Sequence, residues 1–312
     1  RINPACRQNL AVHHAQYQEL AEALSEGKVS VGDAEEALLA MKNPYDTIAL
    51  QAAGIGYRAD YAYYNGKYYV YFGIVPVLLL YLPYYMLTGG ALQNYVAVFV
   101  FFAGFIIAAA GFVYELMKRY FKEQPFYLWA VGTGMLVGSY SMFYLLIRPD
   151  LYHVPIAAST MFATGGLWLY LAGLNRPKKA VGLYAFGSFC MALTAGCRPQ
   201  FILFAALAVV LFWERVFVKR ELFSKKGWRQ TAALVVPYVL IAAGLMVYNA
   251  LRFGSPFDFG ASYSMTSNDM THRGTNLERI LYGIWCSSRC SWKESFRICR
   301  ARRLRRIISE NW

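Results

Sequence analysis

Charged and polar residues gather in the short connectors between apolar runs, and they are the residues of this sequence that could do chemistry. In chain order they are Asp60, Lys67, Arg148, Asp150, His153 and Arg198, followed beyond the last apolar run by Arg252, Asp258, Asp269, His272 and Arg273. Carboxylate oxygens bind hard divalent cations, whereas Arg and Lys side chains bind phosphate. The set therefore predicts a site for a lipid-linked phosphate, with a divalent metal as the candidate cofactor.

Each of these residues also has a structural interpretation. Arg148 and Arg198 each precede a proline at the end of an apolar run, where a long cationic side chain ordinarily reaches for the membrane surface. Asp150 could cap the next helix, and His153 could be a hydrogen-bonded structural histidine. Lys67 could anchor the chain at the interface. Their gathering on one face favours function more than any single member does.

The composition indicates that a membrane positions these residues. Hydrophobic residues make up 57% of the chain and charged residues 16%, compared with about 25% charged in soluble domains. The net charge of +13 comes from short clusters between apolar runs and from the C-terminal end, which argues against a nucleic-acid partner. The six cysteines lack the spacing of a zinc site.

Apolar runs of about 20 residues predict membrane-spanning helices. Since open sheets cannot cross hydrocarbon, we expect an all-α polytopic membrane protein. Six runs qualify, at 95–116, 127–147, 153–174, 180–197, 200–217 and 230–250. A seventh run, 68–88, is rich in tyrosine and is interrupted by Pro76 and Pro83. We expect it to lie on the membrane surface as a juxtamembrane helix.

The distribution of basic residues predicts the orientation. Connectors at 115–124, 175–179 and 214–229 together hold twelve Lys and Arg, whereas the three alternate connectors hold two. The positive-inside rule makes the first set cytoplasmic, so the candidate site faces outward across a cell membrane that the chain crosses several times. The expected parts are an extracytoplasmic first loop, the juxtamembrane helix, the helical bundle, a second extracytoplasmic segment and a basic tail, at 1–67, 68–89, 90–252, 253–284 and 285–312.

Two stretches resemble a known family. The run from Asp60 to Pro76, DYAYYNGKYYVYFGIVP, resembles the end of the first outer loop in bacterial GT-C glycosyltransferases, relatives of protein O-mannosyltransferases and aminoarabinose transferases. The run from Tyr248 to Gly260, YNALRFGSPFDFG, resembles the segment after a later span. The resemblance extends over residues 17–284. It implies transfer of a sugar from a polyprenyl-phosphate donor to an acceptor glycan, lipid or protein on the extracytoplasmic face.

The resemblance also implies roles for individual residues. Lys67 resembles the lysine that contacts the donor phosphate, and Arg198, together with Arg148, is a further candidate for that contact. Asp150 and His153 resemble polar groups near the metal or acceptor. The family's catalytic aspartate follows a first span, and the matching segment from His13 to Tyr17 has no carboxylate. The candidate bases are therefore Asp60, Asp46 and Asp150.

Both ends of the chain leave alternatives open. Either the chain begins beyond that aspartate, or the local sequence is altered, or the protein is inactive. After Trp285 the sequence becomes strongly basic, which indicates a shifted reading frame or, less favoured, an amphipathic tail on anionic lipid. Two functional alternatives also stay open, a multi-spanning transporter or flippase and a non-catalytic truncated membrane protein.

Overall fold

The computed structural model describes residues 15–121, 123–139, 142–222, 224 and 227–266. Expectations for residues 1–14, for 267–284 of the second extracytoplasmic segment and for the basic tail at 285–312 lie outside this part of the chain. The described chain is mostly helical. Five helices are long and apolar enough to cross a membrane, namely α5 (Asn94–Tyr120), α8 (His153–Asn175), α9 (Pro177–Cys197), α10 (Pro199–Val218) and α11 (Trp228–Phe253).

Within the predicted run 127–147, the described residues form α6 (Tyr127–Ser139) and α7 (Met142–Ile147). The pair runs antiparallel to α5. The Trp129 indole nitrogen donates to the Ala110 carbonyl at 2.9 Å, and the Phe143 ring lies 5.4 Å from the ring of Phe102.

Helices α5 and α8 run parallel to each other. Near their C-terminal ends, the Asn175 amide donates to the Glu115 carboxylate at 2.8 Å. The segments that precede their N-terminal ends both contact helix α1 (Gln16–Ser25), because Gln18 donates to the Leu92 carbonyl and Tyr17 to the Leu151 carbonyl. We call this second end of the bundle the loop end. The other end, which carries the basic connectors, is called the basic end.

The N-terminal region is not purely helical. Helices α1, α2 (Glu36–Leu39) and α3 (Thr47–Ala52) accompany a small antiparallel sheet. Its strands are β1 (Gly32–Asp33), β2 (Ala62–Tyr64) and β3 (Lys67–Tyr69), in the order β1-β3-β2. Helix α4 (Ile74–Thr88), which was predicted to lie on the membrane surface, begins six residues later than the predicted start at residue 68, because Lys67–Tyr69 pair with the two neighbouring strands.

The chain after α11 returns to this sheet. The Met265 amide donates to the Tyr61 carbonyl at 2.9 Å, and the Asp60 amide donates to the Met265 carbonyl at 3.0 Å. A bridge between Ala62 and Ser264 extends the contact. The second predicted extracytoplasmic segment therefore packs on the first, and both lie at the loop end.

Gly73 joins the sheet to the bundle. Its amide donates to the Cys197 carbonyl at 3.0 Å, at the end of α9. Its φ of +80° is in the left-handed region, and a Cβ there would lie 2.7 Å from the Tyr17 hydroxyl. A glycine suits both requirements, since it has no Cβ.

Candidate functional site

A cavity of about 390 Å³ opens at the loop end of the bundle. Four separate segments build it, the link from β3 to α4, the turn before α8, the turn between α9 and α10, and the chain that follows α11. Its lining residues are Tyr71, Phe72, Tyr152, Arg198, Pro199, Gln200, Phe259 and Ala261. The walls are therefore largely aromatic, with one cationic side chain among them.

Arg198 lies at the turn between two spans because Pro199 lacks the amide proton that would continue α9. Its guanidinium group stacks 5.2 Å from the ring of Phe72 and 5.6 Å from the ring of Tyr152. Those two rings are themselves stacked at 5.4 Å. Such cation–π contacts hold a guanidinium in place without using its N–H groups.

The N–H groups of the Arg198 side chain are available for a ligand. Across the described residues, no hydrogen bond or ion pair involves them, and the residue is only partly buried. A guanidinium offers five donors in a planar fork, which matches a phosphate or a carboxylate. The structure therefore places an available anion-binding group on the cavity wall.

Asp60 lies next to this cavity. Its backbone has a φ of +63°. Two hydrogen bonds hold this backbone: the Asp60 amide donates to the Met265 carbonyl, and the Gln16 side chain donates to the Asp60 carbonyl at 3.2 Å. Its carboxylate lies near enough to Tyr152 to raise the pKa of that phenol. The structure thus brings together Asp60 and Arg198, which are far apart in the sequence, on either side of Tyr152.

The hydroxyls of Tyr152 and Tyr71 also interact with each other. Burial raises the pKa of Tyr152, and the neighbouring Tyr71 and Asp60 raise this pKa further. Burial is likewise the main cause of the raised pKa of Tyr71. Both phenols therefore stay protonated at neutral pH, and the negative charge of the Asp60 carboxylate favours the protonated form of Tyr152.

Asp150 and His153 lie in the turn that leads into α8, on either side of Tyr152 in the sequence. The Asp150 carboxylate accepts a hydrogen bond from the Leu151 amide at 2.6 Å. The His153 Nδ1 atom contacts the Arg148 carbonyl oxygen. No group of three His, Cys, Asp or Glu residues suited to a metal is found in the described ranges. The metal role of Asp150 and His153 stays a prediction.

Lys67 lies apart from the Arg198 cavity. It is exposed on β3, where it pairs with Asp33 across the sheet. It lines a separate cleft of about 370 Å³ that is rich in carboxylates, among them Glu19, Glu22 and Glu26. The side chains of Lys67 and Arg198 thus line different cavities. The side chain of Arg148 is exposed and does not line the Arg198 cavity.

Asp46 has a local structural role. Its carboxylate accepts a hydrogen bond from the Ala49 amide at 3.1 Å and caps the N-terminus of α3. Of the two candidate aspartates in residues 1–67, Asp46 and Asp60, only Asp60 interacts with a side chain that lines the cavity.

Sequence reasoning missed the aromatic walls of the cavity. Tyr71, Phe72 and Phe259 lie within the two stretches that carry the family resemblance, but nothing in their spacing distinguishes them from other aromatic residues. Tyr152 lies between Asp150 and His153, and sequence reasoning selected those two residues for their chemistry but not Tyr152. A useful signal would have been the combination of an aromatic residue and an arginine at successive span ends.

No family model, curated protein or solved structure matches this chain. The function is therefore inferred from the site itself.

Proposed function

We propose that this protein is a membrane glycosyltransferase, which moves a sugar from a polyprenyl-phosphate donor to an acceptor hydroxyl on the extracytoplasmic face. One observation carries the proposal. A cavity at the ends of apolar helices pairs an available guanidinium, Arg198, with a carboxylate, Asp60, across an aromatic residue. Phosphate, acceptor and sugar ring each have a group of suitable chemistry there.

The position of the cavity suits a donor that is part lipid and part phosphate. Helices α9, α10 and α11 end or begin beside it. Much of α10 and α11 exposes large apolar side chains, such as Leu207, Val210 and Val247, which are compatible with a hydrocarbon chain. A polyprenyl chain could lie along these helices while its phosphate meets Arg198.

The chemistry requires a base and a cationic group. Asp60 would accept the proton of the acceptor hydroxyl as the acceptor oxygen bonds to the anomeric carbon of the sugar. The bond from that carbon to the phosphate oxygen breaks at the same time, and its electron pair leaves with the polyprenyl phosphate. Arg198 would stabilise the negative charge on the departing phosphate. Aromatic faces, such as that of Tyr152, suit contact with a sugar ring.

A divalent cation would contribute further stabilisation of the phosphate if one is used. Asp150 and His153 are the residues proposed to hold it, since they flank Tyr152 and carry ligand atoms that metals accept. Membrane lipids and the lipid-linked sugar phosphate are the proposed partners.

The proposed topology has six crossings and places the loop end outside the cell. Support for the sixth comes from α6 and α7, which both lie beside α5. A helix over the whole run 127–147 would measure about 30 Å, the thickness of the hydrocarbon layer. An odd number of crossings between α5 and α8 is also required by their parallel direction. The basic connectors then lie in the cytoplasm.

The test is a transfer assay in membranes that contain the full chain, with a panel of radiolabelled polyprenyl-phosphate sugars. We expect Asp60→Asn to lower the transfer rate about 100-fold, since a general base is lost without a change of shape. Asp46→Asn is the matched variant, and it should transfer at the wild-type rate because asparagine caps a helix as well as aspartate does.

Two results would contradict the proposal. The first is an unchanged rate in Asp60→Asn, which would remove the base from the mechanism. The second is the absence of transfer from every polyprenyl-phosphate donor by a wild-type protein that is correctly inserted in the membrane.

A further inference from the structure

A second, much smaller cavity lies directly behind the walls of the first. Its volume is about 20 Å³, which is room for a single water-sized group. It shares Tyr71, Phe72, Pro199 and Phe259 with the larger cavity. Beyond these four it reaches Arg252, near the end of α11.

Arg252 is an unusual residue for such a position. It is 4% exposed, and its guanidinium donates to the Val70 carbonyl and to the Asn249 side-chain oxygen, both at 2.7 Å. It stacks 3.9 Å from the ring of Tyr248. All of these partners are uncharged. Within the described ranges no carboxylate forms an ion pair with this buried cation.

Two polar atoms beside the small cavity also have no hydrogen-bond partner among the residues that the structure describes. They are the Nε atom of Arg252 and the hydroxyl oxygen of Tyr248, both of them buried. Asp258 attracts Arg252 electrostatically, but its carboxylate accepts a hydrogen bond from the Gly260 amide at 2.8 Å and interacts with Tyr263. The positive charge of Arg252 is therefore only partly compensated.

A buried charge that lacks a counter-ion is unfavourable, because the protein interior solvates it less well than water does. The same low polarisability lets the charge act over several ångströms. An anion in the larger cavity would lie against Tyr71 and Phe72, which form the wall of both cavities. Such an anion would supply the missing counter-charge of Arg252.

We infer that Arg252 is the second cationic group of an anion-binding site, and that the anion is a phosphate group bound in the larger cavity by Arg198. Arg252 acts on it from behind the aromatic wall through its charge. The inference rests on the proposed function only for the source of the phosphate, a lipid headgroup. Binding can be measured without sugar transfer, so the two proposals can fail separately.

The experiment measures binding to the purified full chain in detergent by calorimetry. The probes are geranyl phosphate, the neutral alcohol geraniol and inorganic phosphate. We expect Arg252→Gln to weaken geranyl phosphate binding about tenfold, the effect of one charge at this range. Arg252→Lys keeps the charge and should stay within about threefold of the wild type. Geraniol should bind the wild type and Arg252→Gln equally.

A purely structural role for Arg252 predicts a different pattern. Lysine cannot reproduce the paired bonds to Val70 and Asn249, so a structural role predicts that Arg252→Lys loses as much affinity as Arg252→Gln. That result, or wild-type affinity in Arg252→Gln, would overturn the inference. Inorganic phosphate that binds as tightly as geranyl phosphate would overturn the assignment to a lipid headgroup.

Misfolding could also lower the affinity of a variant, so we include one variant that should gain affinity. Asp258→Asn keeps an oxygen for the Gly260 amide and removes the carboxylate that partly compensates Arg252. We expect it to bind geranyl phosphate about threefold more tightly. Unchanged or weaker binding in a folded Asp258→Asn protein would contradict the inference, whatever the result of the transfer assay.

Discussion

Arginines that join helices at the basic end of the bundle have different partners from the two arginines beside the cavity at the loop end. At the basic end, Arg176 forms an ion pair with the buried carboxylate of Glu115. Arg215 pairs with Glu221 at 3.0 Å and also donates to Gln230 at 2.7 Å. The cationic groups in this network have acidic or amide partners, and they join the ends of neighbouring helices.

At the loop end, Arg198 and Arg252 contact aromatic rings instead of carboxylates. Neither forms an ion pair with a described residue. Asp60, the carboxylate beside the cavity, lies near Tyr152 and raises the pKa of its hydroxyl. The positive and negative groups near the cavity are thus kept apart by aromatic residues.

The difference teaches how one residue type can serve structure at one end and a ligand at the other. An arginine paired with a carboxylate has its donors occupied and its charge neutralised. An arginine held by ring faces is fixed in position but keeps its charge, and Arg198 keeps its donors as well. The following four predictions test this contrast, beginning with the largest expected effect.

Arg176→Ala should cause a large loss of stability at the basic end. It leaves the Glu115 carboxylate, 2% exposed, without its cation, and we expect the free energy of unfolding to fall by about 3 kcal/mol. Adding Glu115→Gln removes the buried charge and should recover most of that loss. Unfolding in mixtures of SDS and mild detergent measures both. Equal stabilities of the single and double variants would refute a structural ion pair.

Gly73→Ala should show that the loop end is held by backbone and ring contacts. The left-handed backbone and the close approach of Tyr17 together predict a loss of about 2 kcal/mol in the same unfolding assay. Gly89 is the matched control, because its φ is also positive at +65° but no atom lies within 4 Å of its Cβ position. Gly89→Ala should cost about 1 kcal/mol; an equal cost would mean that Tyr17 moves away freely.

Alkaline pH should destabilise the loop end through its buried tyrosines. Burial, followed by the Glu19 carboxylate, raises the pKa of Tyr61 well above its ordinary value. The unfolded chain then releases this proton near pH 10 while the folded chain retains it, so stability falls as the pH rises above about 10. We expect Tyr61→Phe to reduce that slope by about 1 kcal/mol per pH unit. An unchanged slope would show that Tyr61 ionises freely in the folded protein.

Arg198→Ala should have the smallest effect on stability. Its contacts are cation–π interactions at a partly exposed site, so the free energy of unfolding should change by less than about 1 kcal/mol. The same variant should lose measurable binding of geranyl phosphate. A large loss of stability with intact binding would reverse the contrast between the two ends of the bundle.

The long apolar helices could be predicted from the sequence alone. Five of the six apolar runs form helices long enough to cross a membrane, and their ends differ from the predicted ones by only a few residues. A helix satisfies its hydrogen bonds within one segment, so composition and length decide it. The described residues of the run 127–147 are helical as well, in α6 and α7.

The candidate site could be predicted only in part. Asp60 and Arg198 were candidates from their residue type and position; Arg198 lines the cavity and Asp60 lies beside it, near Tyr152. Lys67 was a candidate on the same grounds, yet it lies on β3 and lines the carboxylate-rich cleft instead. Its place depends on the pairing of β3 with β1, a strand much earlier in the chain, and such pairing between distant segments is not encoded locally.

The sequence by itself determined that this chain has long apolar helices and which of the connectors between them are basic. Both properties are sums over neighbouring residues. Only the tertiary structure decided which charges have partners. The carboxylate of Glu115 meets Arg176, whereas the guanidinium groups of Arg198 and Arg252 meet aromatic rings. Pairing of this kind depends on distances across the fold, and those distances follow from how the helices and the small sheet pack together.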